Sequence, residues 1–253
     1  SAVNYCENHC YLYFNVLFIL SKAVKLTPHK HRESVQHIAF KNNMAEKFDL
    51  VLVHGNFKGS LCNENKDVDL KLYLDSYKEL NKFFTLMGTM FGFVSKDLNS
   101  KLDILSELHK SDNENFSTVR RLIVYEKESN LLEKKGYVSG SRTLLRLHRG
   151  LDFIRLFLKY VSELQDDQNT GDVCRTAYCQ TLEKFHSFLI AKGAKLAMYT
   201  MPIKADLMNR VCGNNEEALK TAIEILPQTL DVIAIVYRII DDLYTEHDLH
   251  ALP

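Results

Sequence analysis

Residues 141–164 read SRTLLRLHRGLDFIRLFLKYVSEL and predict one long helix. At roughly 100° per residue, Arg142, Arg146 and Arg149 lie at about 0°, 40° and 340°, so they share one stripe. The stripe continues with apolar and aromatic residues: Phe153, Leu156, Phe157 and Tyr160. Either the arginines face water while the helix buries another side, or they form a cationic site above an apolar surface. The density of leucine and phenylalanine favours the second interpretation.

Composition sets the limits on fold and partners. The chain has 253 residues, 46% of them hydrophobic, which suffices for a substantial core in one large domain or two ordinary ones. Lysine plus arginine equals aspartate plus glutamate at 32 each, so no overall field favours nucleic acid, and we expect no nucleic-acid partner. With 4 prolines and 10 glycines, the composition is typical of an all-α protein. The six cysteines are irregularly spaced, which predicts free thiols and a cytoplasmic location.

The first 44 residues differ in character from the rest and are predicted to be an N-terminal extension, poorly ordered or partly helical. Their apolar run at 11–20 is too short to span a bilayer, so we expect no transmembrane segment. Cysteines and histidines in this extension match no standard zinc spacing, and we expect no metal site. They are Cys6, His9, Cys10, His29 and His31. Residues 45–253 then form the functional domain.

Helical periodicity runs through that domain, interrupted by loops rich in glycine, proline and small polar residues. The predicted helices are 70–85, 87–109, 115–133, 141–164, 172–200, 204–211, 215–225 and 228–246.

Two other predicted helices also carry polar residues on apolar stripes. Asp97 and Lys101 are four residues apart, either a surface ion pair or a polar patch in an apolar wall. His186 shares a stripe with Cys179 and Leu182, where a lone histidine is more often a satisfied core residue than a ligand contact. If these groups converge with Arg142 and Arg146, one carboxylate faces three permanent cations.

Such a surplus of positive charge in a partly dry site favours an anionic ligand. A phosphate monoester, with a charge of about −1.5 to −2 at neutral pH, matches it and suits the arginine fork. Asp97 would then accept from an amide N–H or hydroxyl, and His186 would donate to a carbonyl.

These residues resemble the glycolipid transfer protein superfamily, and within it the branch that carries ceramide 1-phosphate. The resemblance spans roughly residues 48–253. It rests on 73–105, SRTLLRLHRGLDFIRLFL, TAYCQTLEKFHSFL and the tail YTEHDLHALP. It implies an all-α, two-layer helical sandwich that takes a sphingolipid head group at its surface and the hydrocarbon chains inside.

By this resemblance, Asp97 holds the ceramide amide and hydroxyl, His186 holds the acyl carbonyl, and three cations hold the phosphate. The cations are Lys101, Arg142 and Arg146. In the glycolipid branch, the positions of Arg146 and Lys101 are a sugar-stacking tryptophan and an asparagine, so this chain favours phosphate over sugar. The apolar positions implied for the chain pocket are Phe83, Phe93, Val94, Phe153 and Ile154.

The chain departs from the family at its expected membrane contacts. It has no tryptophan, and Phe188 stands where relatives carry a tryptophan anchor. Lys134 and Lys135 stand where relatives place a basic pair that attracts anionic membranes; a solvated helix end is the alternative. The resemblance therefore implies a monomeric cytoplasmic protein that associates peripherally with membranes and needs no cofactor.

Three rival functions remain open at this stage. The first is a glycosphingolipid carrier with the same fold, which Arg146 disfavours. The second is an enzyme that acts on phospholipids, but we find no GxSxG elbow, no HExxH and no glycine-rich phosphate loop. The motif EHDLH at 246–250 stands alone. The third is a helical adaptor. We expect the protein not to be an enzyme.

Overall fold

The computed structural model describes residues 47–88 and 91–253. The elements, in chain order, are α1 (Leu50–Ser60), β1 (Leu61–Cys62), β2 (Asp67–Val68), α2 (Leu70–Leu86), α3 (Gly92–Ser111), α4 (Val119–Glu128), α5 (Gly140–Glu163), α6 (Thr170–Thr181), a 3-10 helix (Glu183–Phe185), α7 (Phe188–Met198), α8 (Lys204–Cys212) and α9 (Glu216–Glu246). The two short strands pair antiparallel, with Leu61 opposite Val68. The predicted all-α class is confirmed, and the helices pack as a two-layer sandwich.

Helix α5 occupies the centre of the packing. It contacts α3, α4, α6 and α9, while α2 packs between α1 and α3. Its buried side chains recur at helical spacing from Leu144 to Val161, and they join one continuous apolar core with the inner faces of the other helices. The arginine stripe therefore begins at the start of a helix that packs against four others.

Most helices begin at a side-chain cap that the sequence supplies. An oxygen of each capping side chain accepts a hydrogen bond from a backbone N–H in the first turn of the helix, which satisfies a donor without an intrahelical partner. The capping residues are Asp49, Asp69, Thr118, Ser139, Asn169 and Asn215.

Three predicted helices have the wrong extent (172–200, 215–225 and 228–246), and one helix was not predicted. Residues 172–200 are not one helix, because the chain leaves helical geometry after Thr181 and resumes it at Phe188. The two predicted helices around Pro227 are one continuous helix, α9. Burial of a stripe of side chains from Thr229 to Tyr244 stabilises this helix. That stabilisation offsets the loss of the one backbone hydrogen bond that proline cannot donate. Helix α1 was not predicted, because its apolar and polar residues do not segregate clearly.

The predictions for the N-terminal extension and its cysteines and histidines lie outside the described residues. Within the described ranges, no helix combines the length and apolar character needed to cross a bilayer.

Candidate functional site

Within residues 47–88 and 91–253, the three arginines of α5 lack carboxylate partners. Among the described residues, no Asp or Glu oxygen lies within 4.0 Å of Arg142, Arg146 or Arg149. Arg142 is half-buried, and its Nε is enclosed without a hydrogen-bond partner. Burial and the neighbouring charge of Arg146 lower the pKa of Arg149. Within the part of the chain that the structure describes, no acidic side chain therefore neutralises the positive charge of this stripe.

Backbone oxygens of the C-terminal tail contact two of these arginines. Arg149 donates to the His250 carbonyl at 2.7 Å, and Arg146 donates to the Pro253 oxygen at 3.4 Å. The second distance is long for a hydrogen bond, so Arg146 is held weakly. The guanidinium of Arg149 also lies over the ring of Phe185, 4.1 Å from its centroid. Arg146 thus has most of its donor capacity available to a ligand.

A buried carboxylate fixes the start of the arginine helix. Glu126 on α4 is 0% exposed and accepts from Ser139 Oγ at 2.6 Å and from Gly140 N at 2.6 Å. It also accepts from Tyr137 Oη at 2.7 Å and Ser141 N at 2.9 Å. A negative charge at a helix N-terminus satisfies free N–H groups and complements the helix dipole. Glu126 therefore anchors both α5 and the loop that precedes it.

Helix α3 supplies the carboxylate and the lysine. Lys101 Nζ donates to Asp97 Oδ1 at 2.5 Å, with side chains 14% and 47% exposed respectively. The start of α5 meets the end of α3, because a methyl group at Gly140 would lie 3.0 Å from Leu108 Cδ1. The two helices share further contacts along their length, as expected for antiparallel neighbours. This pair neutralises itself, so the uncompensated charge of the predicted cluster belongs to the arginines.

His186 lies close to this pair, although not on the helix that the sequence predicted. It follows the 3-10 helix in extended geometry, with φ −107° and ψ 146°. The residue as a whole is exposed, yet partial burial of its imidazole is the main cause of its lowered pKa; Asp97 opposes this shift and Lys101 adds to it. The imidazole is therefore within electrostatic reach of the α3 pair and is neutral at pH 7.

Tyr178 connects the polar site to the apolar core. Its hydroxyl lies 2.8 Å from His186 Nδ1, and its ring packs edge-on against Phe153 with centroids 6.5 Å apart. Phe153 in turn stacks on Phe157 at 6.0 Å, and Phe83 approaches Phe157 at 6.2 Å. A continuous aromatic path therefore runs from the site histidine into the interior.

The predicted chain-pocket residues lie on that interior side, to different depths. Phe83, Phe153 and Ile154 are buried, whereas Phe93 and Val94 are half-buried near the start of α3. Val94 packs against the core.

The predicted membrane contacts are exposed. Phe188, at the start of α7, is 78% exposed, and it lies among other exposed apolar side chains of the same segment. These are Phe185, Leu189, Leu196 and Tyr199. Lys134 and Lys135 are exposed in the loop between α4 and α5. The sequence indicated Phe188 alone; the other members of the patch become apparent only from the helix break.

Comparison with known proteins identifies the family. The family model described as glycolipid transfer protein matches residues 68–213, more than half of the chain. The chain belongs to the glycolipid transfer protein family. Among members of this family, a ceramide-1-phosphate transfer protein from Danio rerio is 36% identical over 218 residues, covering 83% of this chain and 100% of the fish protein. A Bos taurus protein of the same name is 34% identical over 218 residues, covering 84% of this chain and 100% of the bovine protein.

Solved structures of family members have the same fold. The apo form of mouse ceramide-1-phosphate transfer protein superposes with a TM-score of 0.75 at 33% identity, covering 82% of this chain and 100% of the mouse chain. The human protein in complex with 12:0 ceramide 1-phosphate gives a TM-score of 0.71 at 31% identity, covering 81% of this chain and 100% of the human chain.

Sequence reasoning missed several polar groups that organise the site in this family member. Glu126 looked like an ordinary charged residue of an amphipathic helix, and Tyr178 like a core aromatic. The tail carbonyls carry no side-chain signal at all. Of these, only Glu126 had a usable signal, since it recurs in register with the buried positions Leu122 and Ile123.

Proposed function

We propose that this chain transfers ceramide 1-phosphate between membranes. The observation that carries the proposal is the pair Arg142 and Arg146, which have no acidic partner among the described residues and lie where the apolar core begins. Related proteins of the family are named ceramide-1-phosphate transfer proteins, and the human structure contains that lipid. No bond is made or broken in this reaction, so we expect transfer to follow the concentration gradient between membranes.

The phosphate binds to Lys101, Arg142 and Arg146 in this proposal. Arg142 contributes an enclosed Nε that has no partner, and Arg146 exchanges its long contact with Pro253 for a phosphate oxygen. Charge-assisted hydrogen bonds are roughly twice as strong as neutral ones, so the exchange is favourable. Phosphate also draws Lys101 away from Asp97, and this frees Asp97 to accept from the ceramide amide and hydroxyl.

The contacts of His186 suit it for the carbonyl of the lipid amide. Burial raises the pKa of Tyr178, so its hydroxyl keeps its proton, and we take it to donate to His186 Nδ1, 2.8 Å away. Because the imidazole is neutral, its proton then resides on Nε2. The Nε2–H can then donate a hydrogen bond to a carbonyl oxygen, which only accepts. Tyr178 thus selects the tautomer in this proposal.

The hydrocarbon chains enter between the helix layers, beside Phe83, Phe93, Val94, Phe153 and Ile154. Each methylene exposed to water costs about 0.8 kcal/mol, so a long-chain lipid leaves a bilayer slowly on its own. An apolar interior that opens transiently next to a phosphate site lowers this barrier.

Docking to the membrane occurs through Phe188 and the apolar patch around it. Phenylalanine inserts its ring into the acyl boundary but lacks the indole N–H that favours the interface, so anchoring is weaker than with tryptophan. Lys134 and Lys135 add attraction to anionic lipid, of about 1 kcal/mol per charge near the surface. We infer a monomer that works on the cytoplasmic side and visits membranes peripherally.

A competition assay between vesicles tests the proposal. Donor vesicles carry fluorescent ceramide 1-phosphate and glucosylceramide in equal amounts, and the transfer of each to acceptor vesicles is followed. We expect ceramide 1-phosphate to move at least tenfold faster. Preferential transfer of the glycolipid would assign the same fold to the sugar-carrying branch, and chemical turnover of either lipid would reveal an enzyme.

A further inference from the structure

A second polar cavity adjoins the arginine stripe and has no role in the mechanism proposed above. It has a volume of about 290 Å³ and lies between α5, the segment from α6 to the 3-10 helix, α9 and the C-terminal tail. Its polar lining includes His148, Arg149, Asp152, Lys184, Tyr237 and Asp241. A water molecule occupies about 30 Å³ in the liquid, so this recess has room for a small organic group.

The recess and the head-group stripe are neighbouring faces of one helix. Taking Arg142 as 0°, the lining residues Leu145, His148 and Asp152 lie at about 300°, 240° and 280°. Arg149, at about 340°, lies between these residues and Arg142 and lines the recess as well. The recess face is centred about 90° from the midpoint of Arg142 and Arg146, with Arg149 between the two, so a group attached to a phosphate on these two arginines extends past Arg149 towards the recess.

The charges in the recess are separated across its walls. Lys184 lies on the 3-10 helix and has no carboxylate within 4.0 Å among the described residues, while its ammonium lies 5.0 Å from the centroid of the Phe185 ring. Asp241 faces it from α9; the hydrogen bond from His148 is the main cause of the lowered pKa of Asp241, and Lys184 adds to this shift. Opposite charges that face each other without contact leave a gap that a group carrying both charges would complement.

Asp241 has acceptor capacity to spare. Its Oδ1 contacts His148 Nε2 at 3.0 Å, and Oδ2 has no hydrogen bond within the described part of the chain. His148 is 1% exposed and stacks on Tyr237 at 4.2 Å. Burial lowers the pKa of His148, so a neutral imidazole donates to Asp241 without cancelling its charge, and His250 Nε2 lies 3.9 Å from the same oxygen. The buried Nδ1 of His148 has no partner, so the polar groups of this wall are incompletely satisfied.

Asp152 adds a second carboxylate near the same point. It pairs with Arg155 through Oδ1 at 2.8 Å, and both Asp152 and Asp241 raise the pKa of Tyr237, which burial chiefly brings to about 12. Two carboxylates and an aromatic hydroxyl therefore lie close together and form the acidic wall of the recess, which Arg149 and Lys184 also line. A primary ammonium suits the acidic wall, because it offers three donors.

We propose that this recess is a subsite for an ammonium group carried on the lipid phosphate, so that the chain also accepts sphingolipid phosphodiesters whose head group ends in a primary amine. This inference rests on the proposed function, since it takes the phosphate to lie on the arginine stripe. The diester keeps one negative charge for Arg142 and Arg146, and its ammonium donates to Asp241 and Tyr237. Ceramide 1-phosphate, which lacks this substituent, leaves the recess to water.

Transfer rates of three lipids test the inference. Ceramide 1-phosphate, ceramide phosphoethanolamine and sphingomyelin are measured one at a time with the full chain, between neutral vesicles. We expect ceramide phosphoethanolamine to move within tenfold of ceramide 1-phosphate, and sphingomyelin at least tenfold more slowly than ceramide phosphoethanolamine, because its trimethylated nitrogen has no N–H. Equal rates for the two diesters would overturn the hydrogen-bonded ammonium site.

Variants separate the subsite from the phosphate site. Asp241→Asn retains an acceptor for His148 but removes the charge, and should lower the ratio of ceramide phosphoethanolamine to ceramide 1-phosphate transfer about tenfold. Asp152→Asn should lower the same ratio, whereas Asp242→Asn, on the exposed side of α9, should not. The ratio does not depend on the fraction of folded protein. Transfer of ceramide 1-phosphate alone, or unchanged ratios, would overturn the inference; loss of all transfer in the wild type would instead refute the proposed function.

Discussion

Replacing Arg146 by leucine removes one phosphate ligand while leaving the fold intact. Arg146 is exposed, has no acidic partner among the described residues, and contacts the Pro253 oxygen at 3.4 Å. Its removal should therefore change the free energy of unfolding by less than about 0.5 kcal/mol. Hydrogen bonds to charged groups contribute about 1.5–3 kcal/mol each. Solvent exposure lowers the combined binding free energy of the two hydrogen bonds that one guanidinium donates to a phosphate. We expect a loss of about 2–3 kcal/mol in lipid binding, or roughly 30- to 150-fold in affinity.

Vesicle-to-vesicle transfer of fluorescent ceramide 1-phosphate measures this loss, with chemical denaturation run in parallel. Arg238→Leu removes an exposed arginine from α9 and should leave transfer unchanged. Arg146→Lys keeps the charge but loses the fork, so its rate should fall between those of wild type and Arg146→Leu. Transfer by Arg146→Leu within twofold of wild type would mean that the phosphate binds elsewhere, and the head-group assignment would fail.

Three further predictions concern membrane docking, pH and the helix start. Phe188→Asp should lower vesicle partitioning and lipid transfer at least tenfold each, since burying a phenylalanine contributes about 1.5–3 kcal/mol. The control Leu52→Asp, at another exposed apolar position, should leave partitioning and transfer unchanged. Equal losses in the two variants would argue against a specific patch around Phe188. The folded-state pKa of His148 lies below its ordinary 6.5, so its contribution to stability is fully present above pH 6.5 and is lost as the pH falls towards the lowered value. Melting temperatures between pH 7.5 and 5 should therefore fall less in His148→Gln than in wild type or in His109→Gln. Glu126→Gln should lower the free energy of unfolding in urea by about 2–3 kcal/mol. The amide nitrogen of glutamine would face Ser139 Oγ or Gly140 N, which now donate to a carboxylate oxygen. An unchanged urea midpoint would contradict this.

Local patterns predicted three helices of the described chain to within one residue at each end, the third being 204–211, which spans Lys204–Cys212. The expected helix at 70–85 spans Leu70–Leu86, and the one at 141–164 spans Gly140–Glu163. Both have strongly segregated apolar faces and side-chain caps, so local propensity and burial agree. The predictions failed where these signals conflict, as at Pro227, or where tertiary contacts override a continuous helical pattern, as between Thr181 and Phe188.

The interruption of the α-helix between Thr181 and Phe188 could not be predicted from the local sequence pattern. No glycine or proline marks it, and residues 178–190 read as a continuation of the helix. Tertiary contacts favour the break: Tyr178 bonds His186, Arg149 covers Phe185, and Lys195 pairs with Glu183 at 2.5 Å. The helical stripe predicted for His186 was therefore wrong, although the histidine does lie beside Asp97 and Lys101.

The sequence by itself determined the helical class, the arginine stripe of α5 and the charge types available to a ligand, because these follow from residue chemistry and a fixed angle per residue. The tertiary structure decided which charges remain unpaired. Asp97 satisfies Lys101 within one helix, whereas Arg142 and Arg146 meet no carboxylate in the described part of the chain. Pairing depends on distances of a few ångströms between segments far apart in the chain, and only the packing of α3, α5, α9 and the tail sets those distances.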